Sequence, residues 1–261
     1  MFGKLISKFR GKGFAGVCAA VADRLVPFPT RVRCRRLVRG KRGIEIGGPS
    51  SIFARGGMLA LYDAASNVDG CNFSADTLWA GHIPEGMTYR YMEGKACGRQ
   101  YVSEAANLGK IPSDSYDFFL SSHVLEHVAN PLKALSEWRR VLKPGGWLIM
   151  LLPLKDMTFD HRRPVTALEH LIEDFSRDAG EDDLTHLPEI LALHDLSRDP
   201  QAGTPEQFAA RSRENFKNRC LHQHVFDEKL AVAVCRRAGF EVTFSSTSRC
   251  LQIVIIACKK A

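Results

Sequence analysis

The sequence predicts an α/β fold, a doubly wound and mostly parallel sheet whose last strand runs antiparallel. Three observations carry that prediction. Between residues 43 and 153, short apolar runs alternate with turn signals and one clear helix, the rhythm of parallel β-α units. Residues 147–153 are almost unbroken hydrophobicity, as a strand covered on both faces requires. Near the end, a helical stretch closed by Gly239 precedes two further apolar runs, a strand pair that would form an antiparallel hairpin at the sheet edge.

The elements follow in order. Residues 1–42 form a basic arm with twelve Lys and Arg against Asp23, so +11 of the net +7 lies there and the remainder carries −4. Such an arm suits contact with an anionic membrane or another polyanion, or serves only as a solvated, solubilising face. Its apolar stretch, residues 13–22, is too short and too poor in Leu for a secretory signal. No window reaches the roughly 18 apolar residues of a spanning helix. Eight scattered cysteines without a C-x-x-C pair fit reduced thiols, and the expected location is cytoplasmic.

Residues 43–47 read as a strand entering the Gly-Gly-Pro turn of Glu45-Ile46-Gly47-Gly48-Pro49-Ser50. A glycine-rich turn after a strand lets backbone approach a nucleotide closely, yet this one lacks the G-x-G-x-x-G spacing of a pyrophosphate cradle. The stretch from 49 to 68 reads poorly as a helix, given Gly56-Gly57. Asp69, 22 residues after Gly47, stands where a second strand should end and hold a ribose diol, or is only a turn aspartate beside Gly70. Residues 116–120 are a further strand. Asn130-Pro131 opens a helix with an Asn cap and Pro in its first turn, Leu132, Leu135, Trp138, Val141 and Leu142 give that helix its apolar stripe, and Lys143-Pro144-Gly145-Gly146 ends it. Residues 154–225 are polar, helical in tendency and hold six of nine histidines; they read as an insertion or lid within a domain spanning 43–261. The helix at 228–238 and strands at 240–244 and 250–258 complete the chain.

The block running from Ser115 through Ser122-His123-Val124-Leu125-Glu126-His127 to Asn130-Pro131, then the helix and Leu142-Lys143-Pro144-Gly145-Gly146, resembles the class I S-adenosylmethionine-dependent methyltransferases, in the branch often called type 11. The resemblance implies a seven-stranded sheet with the last strand antiparallel, and S-adenosylmethionine as cofactor. It implies that Glu45, Gly47 and Gly48 line the methionine and ribose side, that Asp69 holds the ribose, that Glu104 and Ala105 border the adenine, and that Ser122 and His123 floor the sulfonium. Pro49-Ser50 departs from a pattern that often has another glycine. The resemblance says little about residues 154–225.

His123-Val124-Leu125-Glu126-His127 also matches H-x-x-E-H, the inverted zincin motif. Between a strand and the Asn130-Pro131 helix start, a single turn is a poor zinc platform. The insertion histidines do not fall into a spacing that fixes a metal site, so none is expected. His161 and His224, beside a strand end or its following helix, are the candidate catalytic residues. The expected reaction is O- or N-methylation of a small-molecule, sugar or lipid-linked acceptor under the lid, with Arg162, Arg163, Arg211 and Arg213 pointing to an anionic or sugar-like group. The alternatives are a methyltransferase-like scaffold without catalysis and an RNA-modifying enzyme; the latter rests on the basic arm alone, without a nucleic-acid-binding fold.

Overall fold

The computed structural model describes residues 28–248 and 252–260. The strands are β1 Arg42–Ile46, β2 Asn67–Asn72, β3 Asp76–Thr77, β4 Gly81–His82, β5 Gly86–Tyr89, β6 Gly98–Val102, β7 Tyr116–Ser122, β8 Leu142–Pro153, β9 Phe240–Ser248 and β10 Gln252–Lys259. The helices are α1 Phe28–Val38, α2 Pro131–Val141, α3 Leu168–Ser176, α4 Leu187–Leu193, α5 Pro205–Arg213, α6 Asn215–Asn218 and α7 Glu228–Arg237. One sheet takes the order β5-β6-β2-β1-β7-β8-β10-β9, and β3 and β4 form a separate two-stranded ribbon. Strands β6, β2, β1, β7 and β8 are parallel neighbours, while β10 lies antiparallel between β8 and β9. These are the seven expected strands. The eighth, β5, pairs antiparallel with β6 at the edge. The last strand is therefore interior, and its partner β9 forms the rim.

Helix α2 shows how the sequence sets its own boundaries. Asn130 Oδ1 accepts the Lys133 N–H at 3.0 Å, and Pro131, which has no N–H to leave unpaired, takes the first helical position. Pro131, Leu132, Ala134, Leu135, Trp138 and Val141 bury one face. Trp138 stacks on Phe119 with centroids 4.9 Å apart, and its Nε1–H donates to the Ala105 carbonyl at 3.0 Å. Truncating this wholly buried ring removes apolar contact and orphans a carbonyl. Trp138→Ala should cost about 3–5 kcal/mol in denaturant unfolding. The Lys143-Pro144-Gly145-Gly146 stretch ends the helix as expected, but it belongs to β8, where the pairing with β7 slips between Tyr116 and Phe118.

After β1 there is no regular helix among residues 49–66. The chain folds as consecutive turns, burying Phe53, Leu59, Leu61, Tyr62 and Ala65 against Tyr89 and Tyr91. This is the stretch whose glycines read poorly as helix. The basic arm divides. Residues 1–27 lie outside the described residues, whereas α1 docks on the body through buried Cys34 and Val38. Arg35 pairs with Asp63 at 2.6 Å, and Arg33 lies over the Phe244 ring. At least part of the arm's charge is thus engaged by the domain itself. No helix among the described residues is long and apolar enough to cross a membrane.

Candidate functional site

A cavity of about 940 Å³ opens at the C-terminal ends of β1, β2, β6 and β7, where an open α/β sheet binds its ligands. Residues from 154–225 cover it: Phe159, Glu181, Arg211, Arg219 and His222 face the strand ends across the hollow. Trp79 and Leu78, both well exposed, stand at its margin on the β3–β4 ribbon.

The turn after β1 forms one wall. Gly47 has φ +74°, left-handed backbone that glycine adopts without strain, and a Cβ there would lie 2.5 Å from Val124 Cγ2. Glu45 and Gly48 do not face the cavity. The Glu45 carboxylate is fully buried behind the turn, where it accepts from the hydroxyls of Tyr62 and Tyr89 (2.7 Å) and from Ser50 N–H (3.1 Å). Burial raises its pKa against the opposing pull of those donors. Glu45 therefore braces the turn from within, and a Cβ on Gly48 would strike both Tyr89 and Glu45.

Asp69 is a second correction. It sits inside β2, paired in register with Ile44, and is 2% exposed. Arg42 holds its carboxylate at 2.7 Å, Tyr116 OH donates at 2.7 Å and Arg99 N–H at 2.8 Å. The strand end belongs to Asn72, which lines the cavity; its amide donates to the Gly48 carbonyl at 3.0 Å and accepts from Trp79 Nε1 at 3.3 Å. Asp69→Ala should lower stability and leave S-adenosylmethionine affinity unchanged. Asn72→Ala should weaken affinity roughly tenfold, about the net contribution of one hydrogen bond plus a loosened turn. Calorimetry and thermal melts on the pair separate the two roles.

Glu104, Ala105, Ser122 and His123 do reach the cavity. Glu104 binds Arg219 at 2.6 Å, and Arg219, nearly buried, also holds Glu181 at 2.9 Å and lies over Phe73 at 5.0 Å. One guanidinium thus ties β6, β2 and the covering segment together. Burial raises both carboxyls, that of Glu181 to about 7. His123 takes left-handed backbone, φ +55°, uncommon for a side chain of its size. It opens onto the cavity, and burial by surrounding protein, with help from nearby His222, holds its imidazole down to about 4.

The His-Val-Leu-Glu-His segment is a single 3₁₀ turn, Leu125–His127, not a mid-helix zinc platform. His127 Nδ1 bonds the Leu221 carbonyl at 2.9 Å, and burial lowers its pKa to about 3. Glu126 is 1% exposed with no hydrogen-bond partner for either carboxyl oxygen among the described residues. Burial raises it to about 7. A carboxyl raised in the folded state favours folding fully below its unfolded value of 4.5, and that contribution is lost as pH climbs to about 7. The shift corresponds to on the order of 3 kcal/mol. Glu126→Gln should remove that loss and so make the slope of stability against pH more positive between those two values; an unchanged slope in urea melts would refute this account.

Neither expected catalytic histidine lines the cavity. His161 Nε2 bonds Asp195 at 2.9 Å outside the cavity wall. His224 is buried behind the turn, its Nε2 3.2 Å from the Ala129 carbonyl. Arg163 is buried too, bound to Asp160, Glu189 and the His222 and Gln223 carbonyls, so it has no hold on a substrate; of the four arginines singled out from sequence only Arg211, paired with Asp199, lines the cavity. The histidine that sequence reading passed over is His222. It lines the cavity, its Nδ1 bonds Asp160, and its ring packs on Phe159 and His127 with centroids 4.6 Å apart in each case. Burial works to raise the Asp160 carboxyl, but His222 and Arg163 outweigh it and hold it below the usual range. With Nδ1 bonded to the Asp160 carboxylate, Nε2 is the ring nitrogen of His222 left for another partner. The spacing Asp160 to His222 crosses the whole insertion, and no local motif announces it.

Comparison with known proteins bears on the strand ends and their turns. Residues 57–150 match the family model described as "Methyltransferase domain". A ubiquinone biosynthesis O-methyltransferase of Thiobacillus denitrificans is 26% identical over 123 residues, 46% of this chain and 49% of that protein. An uncharacterised 37.1 kDa protein in a Streptomyces fradiae transposon is 50% identical over 48 residues, 18% of this chain and 14% of that one. The matches thus span half or less of these relatives. Among solved structures, an S-adenosylmethionine-dependent methyltransferase from Mesorhizobium loti has 15% identity and a TM-score of 0.49, covering 91% of this chain and 99% of that one.

Proposed function

We propose that the chain, whose residues 57–150 match a methyltransferase domain, is a class I S-adenosylmethionine-dependent methyltransferase that transfers a methyl group from that cofactor to a small acceptor bound between the strand ends and residues 154–225. The observation that carries the reading is the cavity itself. Its volume, about 940 Å³, lies at the upper end of small-molecule sites, which suits a cofactor together with an acceptor of modest size.

The residues present fit an adenosyl ligand. Gly47 offers bare backbone to the hollow, Ile46, Cys71, Phe73 and Ala105 give apolar walls, and Asn72 and Glu104 give polar groups at adjacent strand ends. Asn72 and Glu104 would hold ribose and adenine edges, with Gly47, Ser122 and His123 around the methionine part. The bound cofactor supplies an activated methyl, displaced in line by the acceptor's nucleophile. What this chain contributes is position and proton handling. Orientation of acceptor and methyl in one closed space is worth up to about 7–11 kcal/mol in favourable systems. His222, held by Asp160, would take the acceptor's proton on Nε2, and that pair favours an oxygen nucleophile over an amine already carrying a lone pair. The apolar, aromatic margin of Phe73, Trp79, Leu78 and Phe159 favours an acceptor with a flat or apolar body. The O-methyltransferase named above acts in ubiquinone biosynthesis, and a hydroxylated ring is the first acceptor class to test here.

The test has two stages. Calorimetry with S-adenosylmethionine and S-adenosylhomocysteine asks whether the cavity takes the cofactor; no heat with either supports a scaffold without catalysis. A tritiated-methyl screen of extract fractions, with phenolic compounds, glycans, lipids and RNA in separate pools, then identifies the acceptor class. Label confined to RNA would overturn the small-acceptor reading.

A further inference from the structure

Behind the cavity, residues 154–225 gather a second set of chemical groups that methyl transfer does not use. Helix α3 presents His170 and Asp174 one turn apart, i and i+4, on one face. His186 stands at the entry to α4, and His224 comes from the returning segment. A ligating atom from each of these four residues lies within 4.8 Å of all the others. His170 Nε2 is 3.0 Å from His186 Nε2 and 3.3 Å from Asp174 Oδ2, which is 3.6 Å from His224 Nε2.

We propose that His170, Asp174, His186 and His224 form a zinc site that cross-links the covering segment within itself, where it packs on the methyltransferase core. Four ligands about 2.0–2.1 Å from a tetrahedral zinc stand about 3.3 Å from one another, and the three separations above bracket that spacing. Three imidazoles and a carboxylate are a donor set suited to Zn²⁺. Hydrogen bonding alone does not account for the cluster. It satisfies the His170–His186 contact and joins His224 Nε2 to the Ala129 carbonyl at 3.2 Å, but Asp174 Oδ2 and His224 Nδ1 are buried without a hydrogen-bond partner among the described residues, on side chains only 1% exposed. An unpaired buried carboxylate oxygen is costly, and a cation facing it removes the cost.

The surroundings are those of a ligand set held in place. Arg177 binds Asp174 Oδ1 at 2.7 Å, which turns Oδ2 toward the histidines. The Asp174 carbonyl accepts from Asn130 Nδ2 at 3.0 Å, and His224 N–H donates to the Glu126 carbonyl at 3.1 Å. Two of the ligands are therefore tied to the turn and helix start that floor the cavity. The half-exposed edges of His170 and His186 give an ion a way in. With four protein ligands the site is closed, so its role is structural.

The experiment uses the full chain, free of any histidine tag, reconstituted with zinc chloride and desalted. Metal analysis should find one zinc per chain. Replacing zinc with Co²⁺ should give the intense visible absorption of four-coordinate cobalt. Asp174→Asn and His186→Ala should lose both signals, with circular dichroism showing whether the fold persists. His82→Ala, an exposed histidine elsewhere, should keep both. His222→Ala should also keep both, since His222 belongs to a separate group with Glu126 and His127. Wild-type chain that holds no zinc above buffer and gives only six-coordinate cobalt overturns the proposal, whatever the variants do. Zinc that survives Asp174→Asn but vanishes in His222→Ala overturns it too, by moving the ion to the other group. None of these outcomes depends on methyl transfer.

Discussion

Gly47→Arg should abolish S-adenosylmethionine binding while leaving a folded chain. The backbone at Gly47 has φ +74°, where any Cβ is strained by on the order of 1–2 kcal/mol, and that Cβ would meet Val124 Cγ2 at 2.5 Å. The remaining side chain must then enter the cavity that Gly47 lines. Strain of that size lowers the melting temperature by several degrees in a domain this long, without unfolding it at room temperature. Binding should fall below detection in calorimetry. Gly47→Ala separates the contributions: it carries the strain without the bulk, so it should cost stability and only part of the affinity. Full affinity in Gly47→Arg would place the cofactor elsewhere.

His222→Ala should lower kcat by about 10²–10⁴ on an oxygen acceptor, with cofactor affinity unchanged. Added imidazole should restore part of the lost rate, because the deleted ring leaves room beside Asp160. A merely structural His222 would give a less stable protein whose residual activity does not respond to imidazole. His161→Ala is the natural control for the rate, since its side chain does not reach the cavity. If His161→Ala matched the loss seen in His222→Ala, the assignment of the base would fail.

The sheet was readable because its elements announce themselves locally. The Asn130 cap, the Gly239 stop and the continuous apolar strand of residues 147–153 all act over a few residues, and each recurs in the structure at its expected place. The single turn at Leu125–His127 was equally legible from what flanks it. Site residues failed where the answer depended on register. Asp69 was chosen as the acid at the right distance, yet β2 ends three residues later, and strand alternation puts Asp69 and Asn72 on opposite faces. Glu45 belongs to the right motif but turns inward toward two tyrosines, one of them 44 residues away. The histidines were harder still. His222 is joined to Asp160 across 62 positions and His224 to Ala129 across 95, so only the folded chain brings them together. His170 and Asp174, a helical i, i+4 pair of ligand types, went unread because the spacing of the insertion histidines by itself fixes no metal site.

The interior place of β10 governs how the molecule must assemble. Its partner β8 ends at Pro153 and β10 begins at Gln252, so about a hundred residues are synthesised and compacted before that ladder can close. Pairings between segments so remote are slow to form, because the chain loses freedom before contacts repay it. Until then Leu148, Ile149, Met150, Leu151 and Leu152 present an open, greasy edge. During that interval the nascent protein is most vulnerable to sticking to its own copies, and charged replacements on β10 should lower soluble yield far more than equal replacements on the outer strand β9.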